Sequence, residues 1–301
     1  MNSRSLFRWV SICTVSLGLT HCVSPADDPL PAVLSEAIEL TEKGRSAFDA
    51  GDFKAAELRY ASALDIHRSI DNHAGIIRNL QNLAVVQKAD GRKSAALESL
   101  DALDRYLSLI DQSNPTGTLD PETQEIIGEA SWLRARMSLE DGNKEQAQRV
   151  LDAAFQKPGQ AQNPRLKNLQ ARLSLSQGDP SGARSAAAIA WANSRGSKAD
   201  AERADAARYQ GRATEMLGQF ETALDWYQKA LALDQKLARS GLVVDDLLGL
   251  ARTSFLLQKP EQANAYAHRA QNSARAAKDT AREKQAQNWM ASALKAPPPA
   301  L

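Results

Sequence analysis

The segment that decides the fold is residues 209–234, YQGRATEMLGQFETALDWYQKALALD. Gly211 and Gly218 stand seven residues apart, and Ala223, Tyr227 and Ala230 follow twelve, sixteen and nineteen residues after Gly211. Small residues let two helices approach closely, and a glycine between two helices suits the left-handed residue that ends the first one. The segment therefore predicts a helix hairpin that turns at Gly218.

The same spacing recurs along the chain. The first position is Gly or Ala in all six copies, and the alanine twelve residues later is present in all six. The turn glycine is present in five copies and is replaced by Gln258 in the sixth. The residues at the first position are Gly44, Ala84, Ala135, Ala171, Gly211 and Ala251. Because one hairpin cannot cover its own apolar face, successive hairpins are expected to stack into a solenoid.

This pattern resembles the tetratricopeptide repeat (TPR). The resemblance implies an all-α, right-handed superhelical solenoid of about six helix hairpins with a concave surface. Repeats are expected near 37–70, 77–110, 128–161, 164–197, 204–237 and 244–277, a spacing of mostly about 40 where the family usually has 34. A capping helix is expected over 280–295, and the polar, proline-containing stretch after Asp111 predicts an inserted loop between the second and third repeats.

The composition agrees with an all-α protein. The 301 residues are 43% apolar but only 5% aromatic, which favours closely packed helices over strands rich in aromatic and β-branched residues. The 37 basic and 36 acidic residues nearly cancel, so the chain lacks the basic character typical of nucleic-acid-binding proteins. No nucleic-acid partner is predicted.

The N-terminus predicts export. Arg4 and Arg8 precede an apolar run over 9–19, which is too short to span a bilayer as a stable helix. A positively charged start followed by a short apolar run is typical of a signal peptide, here expected over 1–21.

Residues 19–22, LTHC, resemble the lipobox of bacterial lipoproteins. The resemblance implies that Cys22 carries the lipid and becomes the first residue of the mature chain. The proline-rich stretch over 22–34 is then expected to be a tether, and the tail over 296–301 to be disordered. The alternative is ordinary cleavage near Ala26, which would release a soluble periplasmic protein.

No catalytic or cofactor-binding signature stands out. The common phosphate, dinucleotide, zinc-protease, paired-cysteine and serine-nucleophile patterns are absent from the sequence. Asp65, His67, Asp71 and His73 fall at the end of a second helix and in the turn after it, where polar side chains are normally solvated, so they predict no metal site. The sequence therefore predicts a binding protein without a cofactor rather than an enzyme.

Arginine follows the small residue at the first position in five of the six repeats, and Val85 is the exception. The five residues, here called the arginine row, are Arg45, Arg136, Arg172, Arg212 and Arg252. In proteins that this chain resembles, that position faces the concave surface, as does the position of Asn168 and Arg208. The resemblance thus implies a candidate ligand groove lined by guanidinium groups.

Two explanations of the arginine row remain open. The first is structure and solubility, with each arginine pairing an acid one turn away. Three have such an acid, namely Arg45 with Asp49, Arg136 with Glu140, and Arg212 with Glu215. Arg172 and Arg252 have none within three or four residues. The second is an acidic or carboxylate-bearing ligand, since a charge-assisted hydrogen bond contributes about 1.5–3 kcal/mol whereas an exposed ion pair contributes at most about 1 kcal/mol.

These features favour an outer-membrane lipoprotein that faces the periplasm and binds a protein or peptide partner in its concave groove. Lipoproteins of this general build help to assemble pilus or secretin machines or organise cell-wall enzymes, so such partners are plausible. One alternative is an architectural repeat protein that associates with further copies of itself. Another, favoured less, is an enzyme acting on the cell wall.

Overall fold

The computed structural model describes residues 30–113, 119–196 and 199–295, which form thirteen α-helices and no strand. The helices are α1 (Ala32–Asp49), α2 (Phe53–Ser69), α3 (His73–Ala89), α4 (Lys93–Ser113), α5 (Pro121–Glu140), α6 (Lys144–Phe155), α7 (Pro164–Gln177), α8 (Pro180–Asn193), α9 (Asp200–Met216), α10 (Phe220–Lys236), α11 (Ser240–Leu256), α12 (Pro260–Ala276) and α13 (Thr280–Lys295). The expected signal peptide, Cys22 and the C-terminal tail lie outside the described residues.

The helices pack as six successive hairpins followed by one C-terminal helix. Each hairpin pairs an odd-numbered helix with the even-numbered helix after it, and α13 packs on α12 and α11. From α3 onward, each odd-numbered helix also contacts the next odd-numbered helix, so these helices form one layer of the array. The exposed surface of α1, α3, α5, α7, α9 and α11 is called the A-helix face below. The predicted all-α solenoid of hairpins with a C-terminal helix is confirmed.

The two helices of a hairpin are joined by a tight turn on one left-handed residue. Gly218 has a φ of 73°, and Gln258, which replaces glycine in the sixth hairpin, has a φ of 57°. In several hairpins the following residue caps the next helix: the Asp52 side chain accepts a hydrogen bond from the backbone N–H of Ala55 at 3.0 Å. The predicted role of the turn glycine is confirmed.

Tyr227 of α10 shows why the repeat requires small residues. Its ring is buried against α9 and α11. A Cβ atom at Gly211 would lie 3.0 Å from the ring, and one at Gly249 would lie 2.6 Å from it. Both distances are shorter than ordinary van der Waals contact, so a larger residue at either position would force the helices apart.

Each odd-numbered helix from α1 to α11, except α7, begins four to seven residues before its predicted repeat start, and α1 and α5 differ most. Helix α1 begins at Ala32, so the last residues of the tether expected over 22–34 are helical. Proline is tolerated at the start of a helix because it lacks an N–H that would need a partner, and Pro31 takes that position. Helix α5 begins at Pro121 rather than near 128, because Asp120 caps it by accepting from Thr123 N at 2.9 Å. Much of the expected insertion is therefore helical.

Candidate ligand groove

Ion pairs join neighbouring odd-numbered helices across the A-helix face. Arg165 of α7 contacts Glu129 of α5 at 2.7 Å and Glu202 of α9 at 3.0 Å. Farther along, Arg282 of α13 contacts Asp245 of α11 at 2.6 Å. Many of the charges on this face are thus neutralised by the adjacent hairpin.

The arginine row begins with two arginines that pair within their own helices. Arg136 donates to Glu140 at 2.7 Å, as predicted, and its guanidinium lies 5.1 Å from the centroid of the Trp132 ring. Arg45 pairs with Glu42 rather than with the expected Asp49. Partly exposed pairs of this kind contribute at most about 1 kcal/mol, so neither arginine is strongly held.

Arg252 is held by an acid from the preceding hairpin. Its Nη2 donates to Glu215 at 2.6 Å and to the hydroxyl of Tyr227 at 3.1 Å. Burial alone would lower the pKa of Arg252, but the hydrogen bonds that it donates to the Glu215 carboxylate raise the pKa above its ordinary value. The local pairing expected between Arg212 and Glu215 is replaced by this contact between hairpins.

Arg172 and Arg212 have no hydrogen bond or ion pair with the residues that the structure describes. Both side chains belong to exposed residues, on α7 and α9 respectively. The pKa of Tyr209 is raised by burial and by Asp205, while Arg172 and Arg212 both act to lower it. Because α7 and α9 contact each other, both arginines belong to neighbouring parts of the A-helix face. We call these two residues the free arginine pair.

The structure places Arg208 and Asn168 within the array rather than on its open surface. The Arg208 side chain is only 12% exposed and contacts three carboxylates: Asp205 at 2.9 Å, Asp246 at 2.7 Å, and Asp234. Asn168 is buried and its Nδ2 donates to the Glu202 carbonyl at 2.8 Å. Both residues join hairpins, which leaves them closed to a ligand.

The carboxylates around Arg208 are themselves unusual. Asp234 and Asp246 have fully buried side chains on α10 and α11, and Arg239 lies 3.0 Å from Asp234. Burial raises the pKa of Asp246 to about 8, although Arg208 opposes the shift. Burial also raises the pKa of Asp234. Three carboxyl groups share two guanidinium groups here, so a proton kept on Asp246 balances the charge of the buried cluster.

The A-helix face also contains a cavity of about 680 Å³ at its N-terminal end. Helices α1, α3 and α5 supply most of its lining, and Tyr60 and His67 of α2 contribute to it. His67 was expected to be solvated but is only 4% exposed, because its ring lies against Gly75, where no side chain intervenes. No pattern in the sequence had indicated this cavity.

No protein-family model matches the sequence, and no curated protein matches it. Solved structures do match over most of the chain. The APC/C hetero-tetramer Cut9-Hcn1 contains a chain with a TM-score of 0.65 and 14% identity, and the match covers 86% of this chain but only 43% of that one. PilW, a type IV pilus biogenesis factor, has a TM-score of 0.56 and 16% identity over 78% of this chain and 92% of its own. PilF of Pseudomonas aeruginosa has a TM-score of 0.59 and 14% identity over 86% and 99%.

The chain has the TPR fold. At these identities the likeness concerns the fold alone, and the A-helix face corresponds to the concave surface of a TPR solenoid. Within the described ranges, each helix of this TPR chain is either too short or too polar to cross a membrane. The candidate groove therefore consists of the free arginine pair toward the C-terminal half of the concave surface and the cavity toward the N-terminal half.

Proposed function

We propose that this chain is a TPR scaffold whose concave surface binds an acidic segment of a partner protein. The observation that carries the proposal is the free arginine pair. Arg172 and Arg212 are exposed and unpaired among the described residues, on a surface where most other arginines have a carboxylate partner. An arginine cannot lose its charge in a protein, and its planar guanidinium is suited to hold a carboxylate with two hydrogen bonds.

Exposed apolar side chains adjoin the arginine row. Met216 lies one helical turn after Arg212 and is 49% exposed, and Leu256 lies one turn after Arg252 and is 42% exposed. Apolar groups beside charged hydrogen-bond donors are typical of surfaces that bind polypeptides. A partner segment that combines carboxylates with apolar side chains would match this surface.

The test of this proposal is cross-linked capture of partners from the cell envelope by the tagged chain. Arg172→Gln with Arg212→Gln should abolish capture of a discrete partner that the wild type enriches, since both free guanidinium groups are removed. Arg59→Gln with Arg105→Gln is the matched control, because these exposed arginines lie on the second helices α2 and α4. Equal capture by the wild type and both variants would contradict the proposal.

We further propose that the scaffold is anchored through a lipid on Cys22 and works at the outer membrane facing the periplasm. The lipobox-like residues 19–22 support the anchor. The TPR fold of a type IV pilus biogenesis factor supports, as an analogy, a role in assembling an envelope machine. Cell fractionation tests the anchor: Cys22→Ala should move the protein from the membrane fraction to the soluble fraction. An unchanged distribution would instead favour cleavage near Ala26 or another means of attachment.

A further inference from the structure

The cavity at the N-terminal end of the concave surface has the size of a ligand site. Its volume is about 680 Å³, within the roughly 300–1,000 Å³ common for sites that bind small groups. Four apolar side chains form part of its wall: Leu34, Ile38, Phe48 and Val85. The cavity can therefore receive an apolar or aliphatic group as well as a polar one.

Val85 is also the residue that interrupts the arginine row. Five hairpins carry arginine at this position and only the second carries valine. Since Val85 lines the cavity, the guanidinium that this position would otherwise supply is missing where the cavity lies. Valine in place of arginine therefore leaves more room in the cavity and makes its wall less positively charged.

The charged groups around the cavity leave an acidic excess. Its lining contains two arginines and four acids, namely Arg45, Arg78, Glu42, Asp49, Glu122 and Glu129. Arg45 and Arg78 pair with Glu42 and Glu122 respectively. Glu129 forms an ion pair with Arg165, a residue that does not line the cavity. Asp49 is exposed and has no hydrogen bond or ion pair with the described part of the chain. A cation is thus the favoured charge for a ligand.

The space between α9, α10 and α11 shows what the corresponding space between α1, α2 and α3 can hold. There Arg208 is followed after 26 residues by Asp234 and after 38 residues by Asp246, and the guanidinium fills the space between them. Thr41 of α1, His67 of α2 and Asn79 of α3 occupy the same three positions with the same separations. Because Thr41 has a short side chain where the other site has Arg208, the protein itself places no guanidinium group in this space.

At these three positions not every buried polar atom has a hydrogen-bond partner among the described residues. Thr41 Oγ1 lies 3.2 Å from Asn79 Oδ1, but His67 Nδ1 is buried and has no hydrogen-bond partner within the described structure. Burial lowers the pKa of His67, so its ring is neutral near pH 7 and retains one nitrogen that accepts a hydrogen bond. A buried nitrogen without a partner is unfavourable, and a donor from a ligand would satisfy it.

We propose that this cavity binds a lysine or arginine side chain carried by an apolar stretch of a partner polypeptide. The aliphatic stem of the side chain lies along the apolar wall, and its charged end is directed toward the Asp49 carboxylate. The inference rests on the proposed function in one respect, namely that the ligand of the concave surface is a polypeptide. It extends that function by assigning opposite charges to the segments bound at the two ends of the surface.

Fluorescence anisotropy with short labelled peptides tests this inference. The probe is an amidated hexapeptide of leucine and alanine with one central arginine, compared with the same peptide carrying glutamine. The arginine peptide should bind at least tenfold more tightly to the wild-type protein. Val85→Arg and Asp49→Asn should each weaken it at least fivefold, and Val85→Arg should fold normally since five other hairpins carry arginine there.

Two variants separate local effects from net charge. Leu58→Arg adds the same charge as Val85→Arg, but on the exposed surface of α2, and Glu98→Gln removes an exposed acid from α4. Both should bind the arginine peptide as the wild type does. Equal binding of the arginine and glutamine peptides, or binding unaffected by Val85→Arg, would overturn the inference.

A third peptide, with a central glutamate, distinguishes failure of this inference from failure of the proposed function. Its binding should depend on Arg172 and Arg212 and not on Val85. If only the glutamate peptide binds, the cavity inference is wrong and the acidic-segment proposal stands. If neither the arginine nor the glutamate peptide binds, both are wrong.

Discussion

At the scale of single residues, the close contacts around Tyr227 control how near α9 and α11 approach α10. Gly249→Ala would place a methyl group 2.6 Å from the tyrosine ring, and overpacking of this kind typically costs about 1–3 kcal/mol. Thermal unfolding should therefore show a lower Tm for this variant.

Gly241→Ala is the matched control for that substitution. It lies in the same helix, α11, and a Cβ there meets no atom within 4 Å. Replacing glycine by alanine within a helix without a clash usually stabilises by about 0.5–1 kcal/mol. An equal loss of Tm in both variants would mean that the contact with Tyr227 is not the cause.

The buried Asp246 should make stability depend on pH. Its pKa is raised to about 8 by burial, against about 3.9 in an unfolded chain. Between these values the folded protein holds a proton that the unfolded chain has lost, so stability is greatest at low pH within this window and falls as pH rises toward 8. The groups facing Asp246 are Arg208 and Asp234, with Asp205 and Arg239 joined to the same cluster.

Asp246→Asn removes this titration while keeping the shape of the side chain. We expect the Tm of the wild type to fall more steeply than that of the variant between pH 5 and 8. One proton corresponds to a slope of at most about 1.4 kcal/mol per pH unit. Parallel Tm profiles would show that Asp246 is already ionised in the folded protein.

Arg252 has no acid three or four residues away, yet Glu215 binds it across the array for a physical reason. Acids three or four residues away are neighbours only on one helix, whereas Glu215 lies 37 residues earlier on the preceding odd-numbered helix. The same separation joins Arg165 to Glu202 and Asp245 to Arg282. A search for opposite charges one repeat apart would therefore have found these pairs. Arg172 was correctly expected to lack a local acid.

At the scale of helices, α13 covers the end of the array. Ala286 is fully buried against the last hairpin, and the Trp289 ring lies 5.8 Å from the ring of Phe255. Ala286→Asp should detach α13, because an unpaired buried carboxylate is strongly unfavourable. The expected result is rapid proteolysis near residue 277, measured against the exposed substitution Ala291→Asp on the same helix. Equal protease resistance in both variants would contradict a capping role for α13.

The hairpins could be predicted because small residues and turn residues repeat with a fixed spacing. Glycine is needed at position 211 because the Tyr227 ring lies close to it, and at position 218 because the backbone there has a positive φ. The starts of α1 and α5 were predicted less accurately than the hairpins. Pro31 and Asp120 stand at these starts, and the residue at the start of a helix differs from hairpin to hairpin. The pattern specifies the stacking of helices better than their ends.

At the scale of the whole molecule, the concave surface has different chemistry at its two ends. Among the described residues, Arg172 and Arg212 in the C-terminal half have no ion-pair partner, and the N-terminal half contains a cavity lined by Val85 and by Asp49, which is likewise unpaired there. The arginine row alone suggested one uniform guanidinium surface. Which arginines stay free depends on acids brought in by neighbouring hairpins, and this information appears only when the array is assembled.

Binding of a partner protein on the concave surface can be tested by site-specific photo-crosslinking in the native host, with benzoylphenylalanine placed at exposed apolar positions. Met216 and Leu256 lie on the first helices α9 and α11, and Leu58 and Leu109 lie on the second helices α2 and α4. A discrete adduct formed from Met216 and Leu256 but not from Leu58 or Leu109 is the predicted result. Adducts formed only from Leu58 or Leu109 would contradict binding on the concave surface.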